Sequence, residues 1–434
     1  MNSYIIKGGK KLKGSVVINP SKNSAVAILI ASILNEKKTI IADLPKIEEV
    51  LRIIEVLNSI GIKTKWIRRS LEITPPKKIN LNSINIEAAK RTRSIILFLG
   101  ALAHKFNFFS LPNSGGCKLG KRTIMPHIYA LENFGIKIKK TKGVLRVDCK
   151  NIGHAGEIVM YESGDTATEN AILVAAMIPA RTIIKLASAN YQVQDLCYFL
   201  KKLGVKIGGI GTTTLIINGK KRLSKNIKYH LIEDPIEAMF FLAVAIMTKS
   251  SIVIKRCPIE FLELELLKLK KMGFRFNILR RYLTKNGFGK LVDIKTFPSK
   301  LSAPAEKISA RPFPGLNIDN LPFFVPIATQ AKGETLIHDW VFEDRAIYYT
   351  ELNRLGANVR LVDPHRVFVK GPTRMMSAEV ICPPALRPSA IILVSMLAAK
   401  GESILRNIYS IDRGHEDLSE RLKKLGADIE LGNL

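Results

Sequence analysis

At roughly 100 to 200 residues per domain, a chain of 434 residues predicts about two to four domains with ample core. A composition of 47% hydrophobic and 24% charged residues excludes a disordered chain, and 67 Lys and Arg against 37 Asp and Glu leave +30, which calls for an anionic partner. Five cysteines, at 117, 149, 197, 257 and 382, have an odd count and no C-x-x-C spacing. A disulfide framework and a zinc ribbon are thereby excluded, and a reducing cytosol is implied.

The opening segment MNSYIIKGGKKLKG lacks the apolar run of an export signal, so a cytoplasmic location is expected. Apolar runs follow at 25–34, 238–247 and 390–399. None reaches the ~18 to 20 residues that cross a bilayer, so they read as buried helices with no membrane insertion.

Along the chain one pattern recurs six times. VLNSIGIKT (56–64), ALENFGIKI (130–138), FLKKLGVKI (199–207), KLKKMGFRF (268–276), ELNRLGANV (351–359) and RLKKLGADI (421–429) each predict an amphipathic helix that ends at a glycine and runs into a strand. Glycines 61, 135, 204, 273, 356 and 426 lie 74, 69, 69, 83 and 70 residues apart, a repeat of about 70. Upstream in each unit, an all-apolar helix leads through a turn into a β-branched strand, as in AILIASILNEKKTIIADLP (27–45) and AILVAAMIPARTIIKLAS (171–188). A helix apolar on every side must be surrounded by protein, so groups of three units closing around a helical centre, two groups in all, are expected.

The N-termini of the six buried helices are expected at Ser21-Lys22-Asn23, Thr92-Arg93-Ser94, Thr168-Glu169-Asn170, Asp234-Pro235-Ile236, Ile318-Asp319-Asn320 and Leu386-Arg387-Pro388. Ser21, Thr92 and Asp234 read as simple caps. Lys22, Arg93 and Arg387 are cations where a helix favours an anion, and so point to a bound phosphate. A second signal is NSGGCKLGKR (113–122), where Lys118, Lys121 and Arg122 surround Cys117 and favour its thiolate. The other four cysteines read as buried small hydrophobes.

The six-unit pattern, SKN at 21–23, the glycine-cysteine loop ending in Arg122, FEDR at 342–345 and IDRG at 411–414 together resemble the UDP-N-acetylglucosamine 1-carboxyvinyltransferase family, also called UDP-N-acetylglucosamine enolpyruvyl transferases. The resemblance spans essentially the whole chain. It implies an α/β fold, an inside-out α/β prism of two three-repeat domains. These are 22–231, carrying the loop 113–122, and 1–21 plus 232–434, with the active site in the cleft between them. It implies transfer of the enolpyruvyl group of phosphoenolpyruvate to the 3-hydroxyl of the UDP-sugar, the first committed step of peptidoglycan synthesis, without metal or cofactor. Lys22, Arg122 and Arg413 match positions that hold phosphoenolpyruvate, with Arg345 and Arg387 in the same anionic pocket. Asn23, Arg93, Asp319 and Val341 match positions around the UDP-sugar, Cys117 the proton donor and Asp319 the proton acceptor.

The chain departs from the family pattern on the nucleotide side. Thr123-Ile124-Met125-Pro126 follow Arg122 in place of Pro-Val-Asp-Leu, Gly164-Asp165-Thr166 replace Ser-Val-Gly, and Ala385, Asp344, Asn190 and Gln192 replace an Asp, an Asn and two acids. A different nucleotide-sugar, or shikimate 3-phosphate, is therefore the alternative acceptor. A further class, RNA binding or RNA terminal phosphate cyclase-like activity, would also use the +30 charge. Scattered lysines and only 7% aromatics weigh against it, since nucleic-acid faces gather cations around stacking rings.

Overall fold

The computed structural model describes residues 2–113, 115, 123–141 and 143–433. Each of the six pattern glycines lies one to three residues past a helix, on Glu48–Ser59, Met125–Glu132, Tyr191–Leu203, Glu263–Lys271, Ala346–Leu355 and Leu418–Lys424. All six have positive φ, from 80 to 105°. The residue after each glycine donates its N–H to a leucine carbonyl five residues back, Leu57, Leu131, Leu200, Leu269, Leu352 and Leu422, at 2.9 to 3.4 Å. Only the left-handed glycine brings that amide round to an otherwise orphaned helix carbonyl, and the flanking apolar side chains are buried. The run Ala346–Leu355 is a 3-10 helix, an outcome its Ile-Tyr-Tyr-Thr start favours through poor helix propensity.

The apolar segments form buried helices at Lys22–Ala31, Arg93–Leu102, Asp165–Ala175, Pro235–Met247, Leu321–Ala328 and Leu386–Ala398. The second and fifth each begin as a 3-10 turn. In the fifth, Pro322 and Pro326 each remove a backbone donor. In the second, the Gly100 N–H is taken by Asn170 Oδ1 at 2.9 Å, and a Cβ on Gly100 would lie 2.7 Å from the Asn170 carbonyl oxygen. Glycine is what lets the second and third helices approach so closely. Ser21, Thr92 and Asp234 cap their helices as expected, through bonds to Ser24, Ser94, and Ile236 with Glu237. The third helix starts a turn earlier than expected, at Asp165, leaving Thr168, Glu169 and Asn170 buried within it. Gly164 ends the extended segment there, and Asp165 in the first turn suits the helix dipole.

The described strands form six sheets of three to five strands; five combine a strand that follows a buried helix with a hairpin that follows an amphipathic one, and in the sixth the N-terminal strand pairs with the last strand in place of the hairpin. Two hydrophobic clusters result. One runs from Ala25 to Leu231, and the other joins Tyr4–Ile18 to Ile232–Ile429 with the single addition of Tyr191. Strand Asn2–Gly8 sits between Gly401–Arg406 and Asp428–Asn433, and Ser15–Val17 pairs with Val253–Pro258, so the N-terminal residues build the second cluster. Among the described residues, no helix is long and apolar enough to cross a membrane. The four described cysteines are all buried and free, as expected.

Candidate active site

A cavity of about 570 Å³ opens where elements of both clusters meet, and its walls include Lys22, Asn23, Arg93, Asp319, Val341, Arg345, Arg387 and Arg413. Eight of the ten residues singled out by the sequence are thus together, although they come from the starts of four buried helices and two intervening loops. The other two, Cys117 and Arg122, lie outside the described residues.

Lys22 opens the first buried helix, and its ammonium meets Glu49 Oε2 at 2.8 Å. Glu49 Oε1 accepts from the hydroxyls of Thr92 at 3.0 Å and Ser94 at 2.9 Å. Burial alone would raise this carboxyl, but Lys22, Arg413 and the hydrogen bonds outweigh it and hold its pKa at about 2. The sequence reading missed Glu49. Its signal was present, since it lies on the apolar stripe of helix Glu48–Ser59, one turn before Ile53. The backbone N–H of Lys22 donates to Asp234 at 3.4 Å, which ties the first buried helix to the cap of the fourth.

Asp319 sits at the opposite wall, paired with Arg387 at 3.3 Å and with Arg345 at 3.8 Å. Burial pushes its pKa up, yet Arg387, Arg345 and Lys22 together draw it below the ordinary value, so it is a carboxylate. Arg345 is fully buried, with Nε and Nη2 forked onto Asp339 at 2.6 and 2.9 Å and Nη2 also on the Ile318 carbonyl. Only its Nη1 is left toward Asp319 and the cavity, so it orients Asp319 more than it offers a full fork to a ligand. Arg387 opens the sixth buried helix, and Ala385 before it provides no side-chain cap. Among the described residues Arg413 makes no salt bridge, and its buried Nε has no hydrogen-bond partner. Val341 is 43% exposed beside Trp340, whose indole N–H holds the Ala310 carbonyl at 2.8 Å. Asn23 donates to the buried Tyr191 hydroxyl at 2.9 Å, and an Arg93 guanidinium nitrogen to the Thr123 carbonyl at 3.1 Å.

The third buried helix brings a different chemistry. Asp165 accepts from the Ser188 hydroxyl and from Asn190 Nδ2 at 2.9 Å, while Glu169 accepts from Gln192 Nε2 at 3.3 Å. Asn190 and Gln192 therefore face two acids one helix away. Burial raises the pKa of both carboxyls, which suits groups whose partners are neutral amides. Glu162 folds back on the same helix start, its Oε1 within 2.9 Å of where a Gly164 Cβ would sit. A helix end that ordinarily attracts phosphate is here surrounded by carboxylates.

His127, also missed, is buried in the wall with Nδ1 at 2.9 Å from Asn170 Nδ2. The Asn170 oxygen is occupied by Gly100 N–H, so its amide is the donor and His127 carries its proton on Nε2, facing Thr166 Oγ1 at 3.4 Å.

The family model for EPSP synthase (3-phosphoshikimate 1-carboxyvinyltransferase) matches residues 6–422. The chain is 32% identical over 433 residues to the UDP-N-acetylglucosamine 1-carboxyvinyltransferase of Treponema denticola, covering 99% of each. It is 33% identical over 425 residues to that of a Sulfurovum species, covering 98% of this chain and 97% of the other. The chain belongs to the carboxyvinyltransferase family. Solved carboxyvinyltransferase-type structures share its fold: the enolpyruvyl transferase NikO from Streptomyces tendae superposes with a TM-score of 0.86 at 22% identity over 99% of both chains. EPSP synthase from Acinetobacter baumannii superposes at 0.78 and 16% identity over the full length of both. As a carboxyvinyltransferase the protein is a transferase.

Proposed function

We propose that the protein transfers the enolpyruvyl group of phosphoenolpyruvate to the 3-hydroxyl of UDP-N-acetylglucosamine, releasing phosphate, as the first committed step of peptidoglycan synthesis in the cytoplasm. The observation that carries this reading is the convergence of Lys22, Arg387, Arg413 and the ionised Asp319 on one cavity at the meeting of two hydrophobic clusters. A small, highly charged donor such as phosphoenolpyruvate needs several cations, and guanidinium matches both carboxylate and phosphate. Cys117 delivers a proton to C3 of phosphoenolpyruvate as the sugar hydroxyl adds at C2 and gives its proton to Asp319. The tetrahedral adduct then loses a C3 proton and inorganic phosphate, leaving the enol ether.

The same reading divides the chain into 22–231 and 1–21 plus 232–434, each an inside-out α/β prism of three repeats. Support comes from the two hydrophobic clusters and from the pairing of the N-terminal strands with the C-terminal half. A second acceptor, a different nucleotide-sugar or shikimate 3-phosphate, is favoured by one observation: Glu162 and Asp165 occupy the helix end where a diphosphate would gain most.

Phosphate release from phosphoenolpyruvate, compared across UDP-N-acetylglucosamine, other UDP-sugars and shikimate 3-phosphate, tests both readings. Lys22→Ala should weaken phosphoenolpyruvate binding about tenfold or more, the loss of one charge-assisted contact, and unchanged affinity by calorimetry removes Lys22 from the donor site.

A further inference from the structure

A second cavity, of about 630 Å³, opens on the sheet of Arg275–Leu283, Lys290–Phe297, Val253–Pro258 and Ser15–Val17, and it shares no lining residue with the first. Four cations, Lys255, Arg256, Arg280 and Arg281, face one carboxylate there, Asp293. Strand register explains the crowding. On the central strand, Ile294 pairs with Ile254 on one side and Ile278 on the other. The next pairs are Val292 with Cys257 and Asp293 with Arg280, so Lys255 and Arg256 bulge on one flank and Leu279 on the other. Two bulges thus flank Asp293. Neighbouring residues of a regular strand point to opposite faces, and bulges are how a strand re-aims two of them into one concavity.

The frame is built at some cost. Arg256 has φ 66°, a left-handed conformation that a residue with a Cβ keeps only when its surroundings hold it. Its N–H donates to Asp293 Oδ1 at 3.1 Å, and the Tyr282 hydroxyl donates to the same oxygen at 2.7 Å. The buried Asp293 therefore serves the frame, and the Arg256 guanidinium is paired with Glu233. Lys255, Arg280 and Arg281 have neither a salt bridge nor a side-chain hydrogen bond to any described residue. Three uncompensated like charges around one hollow repel one another until an anion enters.

We propose that this cavity binds a small molecule carrying two or more linked phosphate groups, either free or as the tail of a nucleotide. The cations stand on two strands separated by a third, about 10 Å apart, a span that a linked pair of phosphates covers better than a single one. Titration calorimetry of the full-length protein with pyrophosphate, ADP and inorganic phosphate at low salt tests it. The wild-type protein should bind pyrophosphate, and the binding should survive Lys22→Ala, which removes a cation of the first cavity. R280A/R281A changes two exposed side chains and should weaken pyrophosphate roughly tenfold or more, with melting temperature and phosphoenolpyruvate binding unchanged. ADP tighter than pyrophosphate identifies the nucleotide as the source, and equal affinity identifies the free diphosphate. No uptake of either, uptake that R280A/R281A leaves unchanged, or phosphate bound as tightly as pyrophosphate overturns the proposal. Should the double variant melt early, Arg281→Gln alone carries the same comparison.

Discussion

Replacing Glu49 by Gln removes the charge on which Lys22, Thr92 and Ser94 converge while keeping the side chain's shape. The carboxyl has a pKa of about 2 in the folded protein against an ordinary 4.5, and Lys22 and Arg413 are the charges that lower it against the opposing pull of burial. Each unit is worth about 1.4 kcal/mol, so the ionised group contributes roughly 3 kcal/mol to the fold. Because the folded value is the lower one, that contribution is present above about pH 4.5 and drains away as pH falls toward 2. Glu49→Gln should therefore lower the unfolding free energy by about 2 to 3 kcal/mol at pH 7, with Gln retaining one weaker acceptor. The gap between variant and wild type should narrow steadily below pH 4.5. Urea unfolding followed by fluorescence at several pH values measures both. A variant as stable as wild type at pH 7, or a gap that does not depend on pH, refutes the reasoning and demotes the Lys22 pair to a surface-like contact.

Asp165→Asn with Glu162→Gln removes two carboxylates from the start of the third buried helix and should tighten UDP-N-acetylglucosamine by roughly three- to tenfold in calorimetry. An unchanged or weaker affinity would mean that the acceptor's phosphates lie elsewhere. Fosfomycin should alkylate Cys117 and spare Cys149, Cys197, Cys257 and Cys382, whose thiols burial pushes far above the ordinary value, Cys149 and Cys382 to about 12. Mass spectrometry would show the adduct, and Cys117→Asp should lose it while keeping some turnover. Gly100→Ala forces a Cβ within 2.7 Å of the Asn170 carbonyl oxygen and should cost about 1 to 3 kcal/mol of overpacking strain in urea unfolding. A stability within a few tenths of wild type would show that the two helices separate easily.

Around the third buried helix, acids on one helix are paired with amides on the next. Asn190 and Gln192 donate hydrogen bonds to Asp165 and Glu169 on the facing helix, and burial raises the pKa of both carboxyls. Asp165 stands at a helix end that opens on the cavity, where it acts on any anionic acceptor.

The repeat, its helix ends and its buried helices were legible in the sequence because each rests on local physics. A left-handed turn after an amphipathic helix needs glycine, and a leucine in the last turn supplies both the carbonyl and the apolar contact. Caps such as Ser21 and Asp234 bond to amides only two or three residues away, so spacing reveals them. The out-of-place cations at Lys22, Arg93 and Arg387 were readable for the same reason, since a helix dipole is a property of the segment itself. What surrounds them was not. Glu49 meets Lys22 across 27 residues, Arg387 meets Asp319 across 68, and Asn190 reaches Asn317 across 127. Side chains that far apart acquire partners only when packed helices and sheets bring them within hydrogen-bond reach. The double bulge at Asp293 belongs to the same class, because register is a relation between strands, and no strand records in its own residues which neighbour it will slip against.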